Sequence, residues 1–198
     1  MTCAVARADQ LGDLEAQGED LAKRSEYTRA IEAFKQADRI APRANHACMI
    51  GLAYLRRELW SQAEVWLSIC EQRVNASDPA PSWIDEAEHQ LGSKLSDAQI
   101  PAITFVVTPP GANARIALST FASDESFPPR TVHLAAGTYV VEVRAPGYHA
   151  LTREITIRAG EPVTVTLALE PDAAAKPSPL PIAAPAPHAT RAVVLACS

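Results

Sequence analysis

Residues 18–37, GEDLAKRSEYTRAIEAFKQA, set a pattern of side-chain sizes that residues 51–70, GLAYLRRELWSQAEVWLSIC, repeat 33 positions later. Small residues alternate in each copy with large apolar or aromatic ones. The matched pairs are Gly18 with Gly51, Leu21 with Tyr54, Tyr27 with Trp60, Ala30 with Ala63, Phe34 with Leu67, and Ala37 with Cys70. Small residues at this spacing let two antiparallel helices approach closely. The pattern therefore predicts one helical hairpin that is used twice.

The two hairpins are expected to occupy residues 9–75. Their helices are predicted at 9–24, 26–41, 44–57 and 60–74, and Pro42 is expected to stop the second of them. A fifth helix is predicted at 82–97, with Ser82 as its N-cap and an apolar face that repeats at three- and four-residue steps. Because two repeats cannot bury their faces alone, we expect this fifth helix to cap the stack.

From Pro101 the period of the apolar residues changes from 3.6 to 2. Ile103, Phe105 and Val107 alternate with outward residues, and similar runs lie at 116–118, 138–144, 151–157 and 163–169. Turn sequences rich in proline and glycine separate these runs. The pattern predicts a small antiparallel β-sandwich or barrel over residues 101–171. The fold class is thus a multidomain α and β chain, with an Ala/Pro-rich disordered tail expected at 172–198.

Composition restricts the classes of partner. The chain has 198 residues and a net charge of -5, and two short basic pairs, Lys23-Arg24 and Arg56-Arg57, lie on the predicted helices. Binding to nucleic acid needs clustered Lys and Arg, so it is not expected. No stretch approaches the roughly 18 to 20 apolar residues that span a bilayer.

The helical region resembles the tetratricopeptide repeat (TPR), whose pattern of small, aromatic and proline positions is matched by the residues above and by Pro42. The second copy lacks the proline, and its offset is one residue shorter than the family's usual repeat. In such proteins the first helix of each repeat lines a groove that binds proteins or peptides. The resemblance places Glu15, Glu19, Lys23, Asn45, Leu52, Leu55 and Arg56 in that groove.

The β region resembles the PEGA domain, a small β-sandwich module of bacterial and archaeal envelope proteins. The markers are Pro109 to Ala112, Leu134 to Tyr139, Gly147-Tyr148 and Ala159 to Glu161. The chain departs from the family at Pro110, where a Glu is usual, and over 120–129, which is longer and less regular. The resemblance implies a non-enzymatic module that serves as a spacer or an adhesion surface.

Envelope-associated proteins often have this arrangement of repeats, a PEGA-like module and an Ala/Pro tail. The cell envelope or periplasm is therefore the expected location, and a cytoplasmic location stays open. Ala4, Ala6 and Ala8 look like the cleavage end of a leader, and we hypothesise that the gene starts upstream. The apolar residues 192–196 are interpreted as the start of a membrane tether that this chain does not finish.

Cys48 and Cys70 are candidates for a disulfide. In an antiparallel hairpin the residue numbers of facing positions keep a constant sum, and this sum is the same for Gly51 with Leu67 as for Cys48 with Cys70. The two thiols are therefore expected to face each other across the helix pair. The alternative is two small, buried, unbonded thiols, as free cysteine is commonly buried.

No catalytic, cofactor or metal site is predicted. The five histidines show no metal-ligand spacing, and neither a phosphate loop nor a nucleophile elbow is present. The sequence therefore favours a non-enzymatic scaffold that binds a protein or peptide through the groove. Two alternatives stay open: glycan binding by the β module, with Tyr148 and Phe127 as exposed rings, and a role as the sensory or assembly arm of a larger signalling protein.

Overall fold

The computed structural model describes the chain from residue 2 to residue 172, with side chains from residue 8 onward. Five helices come first: α1 (Thr2–Lys23), α2 (Tyr27–Ile40), α3 (Ala44–Arg56), α4 (Trp60–Arg73) and α5 (Ile84–Asp97). Six strands follow: β1 (Ala102–Thr108), β2 (Arg115–Leu118), β3 (Thr131–His133), β4 (Gly137–Arg144), β5 (Leu151–Ile157) and β6 (Val163–Ala168). The predicted tail and its apolar segment at 192–196 lie outside the described residues, apart from residue 172.

The five predicted helices are present, with differences at two helix starts. Helix α1 begins at Thr2 rather than at residue 9, because the residues from 2 to 8 are rich in alanine, which favours helix. The prediction of Ser82 as the N-cap of α5 is wrong. The N-cap is Trp83, because a turn in which the Ile84 amide donates to the Pro81 carbonyl (3.1 Å) precedes the helix.

Glycines allow the helices of each hairpin to approach closely. A Cβ atom on Gly18 would lie 2.8 Å from ring atoms of Phe34. A Cβ atom on Gly51 would lie 2.8 Å from the side chain of Leu67 and 2.9 Å from its backbone nitrogen. Contacts this short leave no room for a side chain unless these atoms shift, and the predicted pairing of Gly51 with Leu67 is confirmed.

The strands form two three-stranded sheets, ordered β3-β1-β6 and β2-β4-β5. The prediction of a purely antiparallel sandwich is wrong for one pair, because β1 and β6 run parallel from Ile103 opposite Val163 to Thr108 opposite Ala168. Alternation of apolar and polar residues shows which face is buried, but it carries no information on strand direction. Strand β3 has three residues, too few to show alternation in the sequence.

Each half of the molecule has its own hydrophobic core. One cluster lies among the five helices, and the other lies between the two sheets. Val65 of α4 belongs to the cluster of the sheets, and Ile69 of α4 packs against both clusters. Helix α4 therefore packs against the cores of both modules.

Candidate partner-binding groove

A first cleft lies between α1 and α3 and has a volume of about 390 Å³. Its walls are mainly apolar, formed by Ala22, Tyr27, Met49, Leu52 and Ala53. Met49 lies about one helical turn before Leu52 and Ala53 on α3, so the three share a face, while Ala22 comes from α1 and Tyr27 from the start of α2. A cleft of this kind suits an apolar side chain of a bound segment.

A second cleft of about 460 Å³ lies between α3 and α5. Leu55 and Trp60 provide its apolar part. Its remaining lining is polar and consists of Arg56, Glu58, Glu86, His89, Gln90, Ser93 and Lys94. The two clefts adjoin at Arg56, which lines both. We call the two clefts together the groove.

Arg56 is the exposed cation at the centre of the groove. Lys23, at the edge of the first cleft, lies 3.8 Å from the carboxylate of Glu19. By contrast, no carboxylate oxygen lies within 4.0 Å of the Arg56 side chain among residues 8–172. Its guanidinium is thus available for an acidic group of a partner.

The structure brings five of the seven predicted groove residues to this surface. Four of them, Glu19, Lys23, Leu52 and Arg56, line the first cleft. Leu55 lines the second cleft, where it is 7% exposed and also part of the helical core. Glu15 and Asn45 line neither cleft.

Helix α5 contributes residues that the sequence analysis did not place in the groove. Glu86, His89 and Ser93 occur at three- and four-residue steps along α5 and face the second cleft. The expectation that α5 acts as a cap describes only its apolar face, with Ile84, Ala87, Leu91 and Leu95 buried against the stack. The polar face of α5 carries the same helical period and could have been recognised from it. No residue of the β module lines either cleft, so that module leaves the groove open.

Glu15 belongs to a polar cluster around the buried His46, not to the groove. The His46 ring is fully buried, with its Nε2 atom 2.7 Å from the Glu15 carboxylate and its Nδ1 atom 3.7 Å from that of Asp38. Arg43 and Arg73 donate to these carboxylates, at 2.8 Å for Glu15 and 2.6 Å for Asp38. The cluster joins α1, α2, α3 and α4.

The charges in this cluster shift two pKa values. Burial opposes protonation of His46, but the Asp38 carboxylate 3.7 Å away and the hydrogen bond to Glu15 outweigh it and raise the pKa of His46 above its ordinary value. Burial alone would raise the pKa of Asp38, but the nearby His46 ring and the hydrogen bond from Arg73 outweigh burial and lower the pKa of that carboxyl. The cluster therefore favours a charged His46 between two carboxylates.

Cys48 of α3 and Cys70 of α4 are fully buried and bonded to each other. Their Cα atoms are 4.9 Å apart, within the range that a disulfide requires. The bond lies on the same helix pair as the close contact of Gly51 with Leu67. It joins the helix that lines both clefts to the helix that rests on the β module.

Glu125 joins the two modules. This residue lies in the long segment between β2 and β3, and its carboxylate is buried among three helices. Its Oε1 atom accepts from the Tyr54 hydroxyl (2.6 Å) and the Trp66 Nε1 (2.9 Å) and lies 2.8 Å from the Lys35 Nζ. Burial and the Glu125 contact raise the pKa of Tyr54, which keeps its hydroxyl protonated as a donor.

A second set of polar contacts joins α4 to the β module. The Ser61 hydroxyl donates to the His133 carbonyl (2.6 Å), and the Gln62 amide donates to the Thr120 carbonyl (2.9 Å). The Glu64 carboxylate accepts from the His133 backbone amide (2.7 Å). Edge strand β3 is therefore covered by α4, and the modules are held by contacts from several elements.

The β surface does not carry the two exposed rings that the sequence analysis proposed for glycan binding. Phe127 is fully buried, with its ring packed against Phe105 and Phe121 at centroid distances of 6.0 Å and 5.6 Å. Its exposure was wrongly expected because the segment 120–129 lacks alternation. Tyr148 is partly buried against the same core.

Two further observations concern residues 2–172. None of their helices has the length and apolar character needed to cross a membrane. Their His, Cys, Asp and Glu side chains form no group of three or more that could hold a metal ion.

The β module has the strand order, buried alternating residues and glycine turns of a small sandwich. Residues 108–173 match the PEGA domain. The match to the PEGA domain begins at the last residue of β1 and includes the segment that carries Glu125, and the helices lie outside it. No curated protein matches the chain.

Proposed function

We propose that this protein is a non-enzymatic scaffold that binds a segment of a partner protein in the groove, with its helical hairpins acting as TPR units. The observation that carries the proposal is the apolar cleft between α1 and α3, which the β module leaves open and which Arg56 borders. An apolar anchor beside a charged group is a common arrangement in peptide recognition.

The groove favours a particular partner chemistry. The first cleft suits an apolar side chain, and the unpaired guanidinium of Arg56 suits a carboxylate close to it. Lys94 and His89 in the second cleft extend the basic character, whereas Glu58 and Glu86 limit it. We therefore infer a partner segment in which an apolar residue is followed within a few positions by Asp or Glu.

Selection from a random peptide library on the immobilised chain tests this proposal. We expect the selected peptides to share an apolar residue near an acidic one. Leu52→Glu places a charge in the apolar cleft, and Arg56→Glu reverses the charge at its border; each should weaken the selected peptides at least about tenfold in fluorescence polarisation. Arg57→Glu is the matched control, because Arg57 lines neither cleft.

A charge exchange makes the test specific. Peptides in which the acidic residue is replaced by Lys should bind Arg56→Glu better than they bind the original chain. Equal binding of the selected peptides to the original chain, Leu52→Glu and Arg56→Glu would exclude the groove as the binding surface. Circular dichroism of each variant shows whether its helices are retained.

The cell envelope, and the periplasm in particular, is the compartment that we propose. Two observations support it: the match to the PEGA domain, which is found in extracellular or periplasmic proteins, and the buried bond between Cys48 and Cys70. Disulfides persist mainly in oxidising compartments. In this setting the PEGA module acts as a rigid spacer that holds the groove at a fixed orientation. Fractionation of cells that express the native gene tests the location.

A further inference from the structure

A polar concavity of about 360 Å³ lies on the β module next to the junction with α2, and it is separate from the groove. Its lining includes Arg115, Arg144, Ser123, Ser126, Asp124 and Glu142. Sites for small ligands occur preferentially where two modules meet. The concavity has this location, because Asp124 contacts both Lys35 and Arg39 of α2.

The concavity contains two arginines that lie side by side on neighbouring strands of one sheet. Arg115 of β2 and Arg144 of β4 are Cα partners in the antiparallel pair, and both are exposed. Like charges directly opposite each other destabilise such a pair. An anion that contacts both guanidinium groups would remove this repulsion.

The carboxylates around the concavity already have cationic partners. Asp124 lies 3.1 Å from Lys35 and 3.4 Å from Arg39, and Glu125 lies 2.8 Å from Lys35. Glu142 is paired with Arg144, but this pair is exposed, at 74% for the Arg144 side chain, and such pairs contribute little. A ligand can therefore replace Glu142 as the partner of Arg144.

Arg115 has no such partner. Its Nε atom donates to the Ser126 hydroxyl (3.2 Å) and its guanidinium also donates to the Ser126 carbonyl, both of which are neutral. Among residues 8–172, no carboxylate oxygen lies within 4.0 Å of Arg115. The lining itself holds the two arginines and three carboxylates, and Lys35 and Arg39 of α2, outside the lining, pair with Asp124 and Glu125.

We propose that this concavity binds one anionic group, a carboxylate or a phosphate, of a small ligand. Arg115 and Arg144 hold the anion, since a guanidinium presents paired donors that match the oxygens of both groups. The hydroxyls of Ser123 and Ser126 are donors for the rest of the ligand. The site shares no residue with the groove, so a test of the site does not depend on the proposed function.

Calorimetric titration of the full chain tests the site with three probes: galacturonate, inorganic phosphate and the neutral sugar galactose. We expect at least one of the two anions to bind with a dissociation constant on the order of 1 mM, and galactose not to bind. Binding should weaken as the salt concentration rises, because the contacts are partly exposed. Galacturonate without phosphate identifies a carboxylate ligand, and phosphate without galacturonate identifies a phosphate ligand.

Variants connect the binding to the two arginines. Arg115→Gln and Arg144→Gln should each weaken the anion about tenfold or more. Arg158→Gln, the same change at an exposed arginine outside the concavity, should leave it unchanged. Arg144→Gln keeps the test valid if Arg115→Gln loses the Ser126 contacts and unfolds. Absence of binding by both anions, equal binding of galactose, or unchanged binding in both Gln variants would overturn the site.

Discussion

Among the glycines of the helices, Gly51 is the one at which an added methyl group should reduce stability most. Its Cβ would meet the Leu67 side chain at 2.8 Å and the Leu67 backbone nitrogen at 2.9 Å, and the backbone cannot move aside. Gly51→Ala should therefore lower the free energy of unfolding by about 1 to 3 kcal/mol. Gly18→Ala should lower the free energy of unfolding by less, since the new methyl group would meet only side-chain atoms of Phe34, which can shift more easily than backbone. Urea denaturation measures both.

The same substitution elsewhere provides the control. A Cβ on Gly92 of α5, or on Gly12 of α1, would meet no atom within 4 Å. Gly92→Ala should raise the free energy of unfolding by up to about 1 kcal/mol, because Ala favours helix more than Gly does. If Gly51→Ala were as stabilising as Gly92→Ala, the close approach of α3 and α4 would be excluded.

His46 makes stability depend on pH. Its pKa is raised in the folded chain, so its contribution is present in full below about pH 6.5 and is lost as the pH rises through the folded pKa. The groups that face it are Glu15 from α1, Asp38 from α2 and the Arg43 and Arg73 side chains that hold these carboxylates.

Urea denaturation between pH 5.5 and 8.5 measures this dependence. The free energy of unfolding of the original chain should fall relative to that of His46→Gln as the pH increases. Because the other histidines are common to both proteins, the difference isolates His46. A constant difference across the range would show that His46 stays in one protonation state.

Residue-scale prediction from the sequence succeeded where a spacing determined the contact. The repeat placed Gly51 opposite Leu67 because a hairpin pairs its positions in order. It did not show that Glu15 contacts His46 (2.7 Å) instead of facing the groove. That contact depends on how α1 is rotated against α3, and the spacing within one helix does not contain this rotation.

At the scale of elements, the bond between Cys48 and Cys70 ties α3 to α4. The two residues are 22 positions apart, and closing a loop of that size contributes about 3 kcal/mol in the chain-entropy account. Replacing both cysteines by Ala should lower the free energy of unfolding by about that amount. Reducing agent should lower the free energy of unfolding of the original chain by a similar amount and leave that of the double variant unchanged. Equal sensitivity of both proteins would show that this bond is not responsible.

The elements themselves were predictable to different degrees. Long amphipathic segments and strands with clear alternation were recognised, because their period follows from which side is buried. The parallel pairing of β1 with β6 was not recognised, since it depends on a crossover between the two sheets. The role of α5 was half recognised, because its apolar face indicates packing and its polar face, with Glu86 and His89, borders the second cleft.

For the whole molecule, the relation between the two modules was the least predictable feature. The segment 120–129 departs from the PEGA pattern. The same segment contains Glu125, which contacts the helical module. Glu125 has no periodicity that distinguishes it from a surface carboxylate. Its partners Lys35, Tyr54 and Trp66 come from three different helices, so the contact exists only after the stack has formed.

Glu125 should consequently control whether the modules unfold together. Glu125→Ala leaves the donors of Tyr54 and Trp66 without an acceptor and leaves the buried Lys35 with only the half-exposed Asp124 as a partner, which should lower the free energy of unfolding by about 3 to 5 kcal/mol. Since each module has its own core, we expect calorimetry to show one transition for the original chain and two for Glu125→Ala. Exposed Glu154→Ala is the control. The double change Lys35→Met with Glu125→Met should recover part of the lost stability, because it removes both buried charges but leaves the Tyr54 and Trp66 donors without an acceptor. A Glu125→Ala melt that coincides with that of Glu154→Ala would mean that the α4 contacts alone hold the modules together.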